Sequence, residues 1–89
     1  MKLQNHFDEM VTAFGYITNE MLSKIIETAK NDSRVKNLHT RVVWDCFWYL
    51  SDTKKINICD WRKEHDFNDS HLDTLISSAF KKVFPDTVL

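Results

Sequence analysis

Eighty-nine residues leave room for one domain and one core, and a chain this short buries only about 60–65 % of its unfolded surface on folding. Apolar residues make up 43 % of it and there is one Gly and one Pro, which excludes a disordered chain and a turn-rich β-sandwich and favours helices joined by short links. The net charge of −1 is unevenly spread, with −2 over residues 1–29, +4 over 30–63 and −3 over 64–89, a segmentation suited to docking of the ends onto the middle, to self-association or to an acidic partner.

Helical periodicity begins at once. Leu3, Phe7, Met10, Val11 and Phe14 recur at spacings of three and four, one face of a first helix. Gly15 predicts its end, since glycine takes a positive φ without penalty just past a helix. Thr18 is placed to cap a second helix, whose stripe is Met21, Leu22, Ile25, Ile26 and Ala29, and the two helices are expected to form an antiparallel αα-hairpin.

A third helix is predicted from a cap at Asp32 or Ser33 to about Leu50. Its broad apolar face holds Val35, Leu38, Val42, Val43, Cys46, Tyr49 and Leu50, with Phe47 at the margin. Trp44 and Trp48 fall almost opposite that face, one turn apart and flanked by Asn37 and Arg41. Helices apolar all round are usually buried, so the first expectation is a helix covered on both sides, with residues 51–69 supplying the second cover through Ile56, Trp61 and Phe67. The alternative is an exposed aromatic patch at a binding surface.

Residues 55–59 alternate like a strand, but a lone strand cannot satisfy its own backbone groups. A short helix over Ile58–His65, capped by Asn57, is preferred, followed by a turn at residues 66–69. The last helix is predicted to be capped by Ser70, with Asp73 at the capping-box position. Its stripe is Leu72, Leu75, Ile76, Ala79, Phe80 and Val83, Lys81 and Lys82 complement its negative end, and Pro85 stops it. The fold class expected is all-α: a compact bundle of four or five short helices around a central third helix, forming one domain over residues 1–89.

The longest apolar run, Cys46–Leu50, is far short of the roughly 20 residues that span a bilayer, so neither a membrane anchor nor a signal peptide is expected. Small secreted domains usually carry several disulfides; with only Cys46 and Cys59, the expectation is a cytoplasmic protein with reduced thiols.

No phosphate loop, nucleophile elbow or paired-cysteine motif occurs. Asp60, His65, Asp66, Asp69, His71 and Asp73 are a dense set of potential ligands, but with Cys59 they fit no zinc spacing, and the glycine and bidentate glutamate of a calcium loop are missing. No metal, no cofactor and no catalytic residue is expected. Cys46 falls on a core face where a thiol is inert, and His39 lies near the same face with its polar tip able to reach solvent.

Two segments could form a helix-turn-helix: the first pair of helices through Gly15–Thr18, and the Ile58–His65 helix with the last. The last helix opens with Asp69, His71 and Asp73, which phosphates repel, and the second opens with Asn19 and Glu20. Lys30, Arg34, Lys36 and Arg41 cluster near the start of the third helix, so backbone-contacting nucleic-acid binding by the basic 30–63 segment is the runner-up function. The leading expectation is a small non-enzymatic protein-binding module — an adaptor, regulator or inhibitor — whose partner is another protein or a second copy. Its expected partner-binding residues are Trp44, Trp48, Arg34, Lys36 and Arg41, because Trp and Arg are the types most enriched in interface hot spots.

Overall fold

The structure is a computed structural model that describes residues 2–59 and 69–89, with side chains from His6. Four helices make up the described fold: α1 (Lys2–Phe14), α2 (Asn19–Lys30), α3 (Leu38–Asp52) and α4 (Asp69–Val83). There is no strand among the described residues. The alternation at 55–59 nevertheless reports burial. Ile56 in the link and Ile58 just after it enter the core while Lys55, Asn57 and Cys59 face water. Ile58 and Cys59 have helical backbone; the remainder of the helix expected to His65, and the cover expected from Trp61 and Phe67, lie outside the described residues.

From Phe7 onwards, each stripe read from the sequence is buried or half-buried. Met10 and Phe14 of α1, Leu22 and Ala29 of α2, Val42, Val43, Cys46 and Leu50 of α3, and Leu72, Ile76, Ala79 and Phe80 of α4 form one contiguous core. Phe47, placed by periodicity at the edge of the α3 face, is fully buried. Phe14 sets its ring edge-on to Phe80 at 5.9 Å between centroids, joining the first and last helices through the centre.

The pairing of helices departs from the expected αα-hairpin. The most extensive pairing is α1 with α4, α2 packs on α3, and α1 and α2 touch only marginally. The connection explains this: Ile17 is buried between the two helices in sequence, so the link is itself a core element and turns α2 towards α3. Helix α3 contacts α1, α2 and α4.

Some helix ends fall where the sequence predicts and others do not. Thr18 caps α2, its hydroxyl accepting from Met21 N–H at 3.1 Å. Gly15 does not take a positive φ; its N–H is shared between the carbonyls of Val11 and Thr12, which tightens the last turn, and a Cβ there would stand 3.1 Å from the Thr12 carbonyl oxygen. The positive φ occurs instead at Lys54, at 66°. Lys55 N–H bonds to the Leu50 carbonyl and Lys54 N–H to that of Ser51, the paired bonds of a Schellman ending for α3. Neither Asp32 nor Ser33 caps α3. Asn37 does, accepting from Thr40 N–H at 3.0 Å, so the helix starts later than expected and Val35 lies outside it. Asp32 is diverted because its carboxylate holds two arginines. α4 starts at Asp69, two residues before it would if Ser70 were its cap, and the Ser70 carbonyl accepts from the Thr74 hydroxyl.

Candidate functional site

The expected partner-binding residues divide into an aromatic group on α3 and a charged group where the 31–37 link meets that helix. Asn37, Arg41, Trp44 and Trp48 follow one another at helical spacing along α3, so the two groups share a stripe.

Trp44 is half-buried. Its indole N–H donates to the Asp73 carboxylate at 2.8 Å, so α4 partly covers this side of α3 and Asp73 serves a tertiary contact, not the capping box. Trp48, a turn further on, leaves 47 % of its surface in water. The ring is backed by protein: Phe47 lies edge-on at 5.3 Å and Trp44 is tilted at 6.4 Å between centroids, while Trp44 meets Phe47 edge-on at 5.6 Å. These separations are those of favourable aromatic pairs. Trp44 is therefore partly covered within the chain by α4, and Trp48 is the exposed end of a supported aromatic cluster.

The arginines are committed to carboxylates. Asp32 receives Arg34 through Nε and Nη2, both at 3.0 Å, as well as Arg34 N–H at 2.9 Å. It also receives Arg41 Nη1 at 2.9 Å, and Arg41 Nε reaches Asp45 at 2.8 Å. The bidentate fork at Arg34, its backbone N–H and the Arg41 bond hold the Asp32 carboxyl well below the usual carboxylate range. Asp32 in turn raises both guanidinium groups, with Asp45 adding to the effect at Arg41. Two arginines and two aspartates leave this cluster without net charge. Its effect is to pin the link after α2 against α3, with Asp32 only 14 % exposed and Arg34 86 % exposed. Lys36 is exposed and takes no part in the network. Asp32, Asp45 and Asp73 are the partners sequence reasoning missed. The spacing of Arg41 and Asp45 by four could have revealed one pair, whereas Trp44 and Asp73, 29 residues apart, carry no local signal.

The other candidates are placed as follows. Cys46 is buried, and burial, with the Asp45 charge adding, pushes its thiol up to about 12. Cys59 is exposed and neither cysteine is in a disulfide. His39 is exposed, with its ring edge-on to Phe80 at 6.0 Å. Among the described residues no group of three or more His, Cys, Asp or Glu could hold a metal ion; Asp60, His65 and Asp66 lie outside them. No described helix is long and apolar enough to cross a membrane.

The fold and this face together define a small helical bundle with a supported aromatic surface. Compared with protein-family models, with curated proteins and with solved structures, the chain matches none.

Proposed function

We propose that the protein is a non-enzymatic protein-binding module, an adaptor, regulator or inhibitor that acts by occupying a partner's surface with the exposed stripe of α3. The observation that carries this reading is Trp48: a large ring half in water, held from behind by Phe47 and Trp44 on a rigid helix. A ring so fixed loses little side-chain freedom on binding, and rigid aromatics are the usual anchors of interfaces. The carboxylates on Arg34 and Arg41 favour a protein partner over a nucleic acid, because phosphate contacts would have to displace Asp32 and Asp45.

Affinity capture from source-cell lysate tests this, with wild type beside Trp48→Ser and Lys36→Glu. A defined protein retained by wild type and lost from both variants, each shown folded by circular dichroism, is the expected result. Retention that depends on nucleic acid and disappears with nuclease would overturn it, as would equal retention by all three chains. Sedimentation of wild type beside Trp48→Ser reports whether the partner is a second copy.

A further inference from the structure

A second site lies away from the tryptophan stripe, in a cleft of about 320 Å³ between the start of α3 and the end of α4. That volume is at the lower end of those that hold small ligands. Its apolar part is aromatic: Phe80 and Phe84 lie with ring centroids 5.2 Å apart, and Pro85 adjoins them. His39 stands with its ring at 86° to that of Phe80. The remaining lining is Ser77, Ser78, Lys81 and Thr87.

The polar groups are of one kind. Lys81 brings an ammonium group, His39 can donate a hydrogen bond, and three hydroxyls accompany them; among the described residues no carboxylate lines the cleft, although the chain has 13 Asp and Glu. Lys81 makes no ion pair, and the hydroxyls of Ser77, Ser78 and Thr87 make no hydrogen bond, among the described residues. This contrasts with the tryptophan stripe, whose cations are neutralised by neighbours. His39 stands in the first turn of α3, the positive end of that helix. Lys81 offsets the opposite partial charge at the end of α4. Asp86, between Pro85 and Thr87, is exposed and outside the lining.

We infer that this cleft binds a small anion carried on a flat apolar body, an aryl carboxylate or aryl phosphate. The ring rests on Phe84 and Pro85, backed by the buried Phe80, and the anionic group is taken by Lys81, the hydroxyls and His39. The inference stands apart from the protein-binding reading and uses none of its residues.

Heteronuclear NMR titration of the full chain tests it, with benzoate and phenyl phosphate as probes and inorganic phosphate and benzyl alcohol as controls. Saturable shifts at His39, Ser77, Ser78, Lys81 and Thr87 are expected with at least one aryl anion. Half-saturation should fall in the millimolar range, the order expected for about ten non-hydrogen atoms in an open cleft. Which anion binds more tightly distinguishes a carboxylate from a phosphate ligand. Both controls should bind at least about tenfold more weakly, and Lys81→Gln should weaken the aryl anion by about fivefold or more. Lys81 is exposed, so the variant should keep wild-type core resonances. The inference is overturned by no saturable shift at these residues, by equal binding of either control, or by undiminished binding to Lys81→Gln.

Discussion

Replacing Trp48 by Ala separates a ring that is merely exposed from one that is exposed and supported. An aromatic side chain of this size buries up to about 250 Å² when fully enclosed. With 47 % of its surface in water, Trp48 hides somewhat over half of that, and Ala would retain a small part. The loss is then roughly 100 Å², or about 2.5 kcal/mol at about 25 cal/mol per Å², below the 3–5 kcal/mol typical of fully buried aromatic truncations. In a domain of this size about 1 kcal/mol moves the melting temperature by about 4–8 °C, so a fall of about 10–20 °C is expected by differential scanning calorimetry. Trp44→Ala should cost more, since it also removes the bond to Asp73, worth about 0.5–1.5 kcal/mol net. A Trp48→Ala melt within about 2 °C of wild type would show that the ring is not held by Phe47 and Trp44. A cost above about 4 kcal/mol would mean the ring is fully covered, and a melting temperature that rises with protein concentration would assign that cover to a second copy.

The left-handed conformation of Lys54 costs a non-glycine residue about 1–2 kcal/mol, part of which glycine returns through its looser unfolded state. Lys54→Gly should therefore raise the melting temperature by a few degrees, and a lower one would refute the strain. Asp32→Asn should lower it at neutral pH by releasing Arg34 and Arg41. Because the folded carboxyl is depressed, its contribution is complete above the unfolded value of about 4 and lost as pH falls through the folded value. The gap between wild type and variant should thus close only below about pH 4; closure near neutrality would contradict the pairing. Alkylation at pH 8 should modify exposed Cys59 in the native protein. Cys46, buried with its thiol pushed up to about 12, should react only after denaturation, and comparable rates at both would refute its burial.

The buried stripes were legible because a helix repeats its apolar face every three or four residues, and that pattern survives whichever neighbour covers it. Which helix covers which was not. The stripe of α1 suits α2 and α4 equally, and the choice is made by Ile17, a link residue that sits in the core. Caps were legible where one candidate stood alone, as Thr18 did. At the start of α3, Asp32 and Ser33 both qualified and Asn37 took the position instead, with Arg41 claiming Asp32 from nine residues away. The candidate surface divided in the same way. Trp44 and Trp48 were found by their angle on the helix, whereas the neutralisation of Arg34 and Arg41 depends on a loop conformation that periodicity does not encode.

The pairing of α1 with α4 has a consequence for the order in which the chain can assemble. Helices α2 and α3 are neighbours in sequence and can join while the chain is still being made, at small cost in loop closure. The apolar face of α1 is made well before its main partner, α4, and stays uncovered until that helix is available. Nascent chains therefore carry an open hydrophobic face until α4 has been made, the state in which a small helical protein is most exposed to aggregation and to chaperone capture. A premature stop before α4 would leave that face uncovered for good.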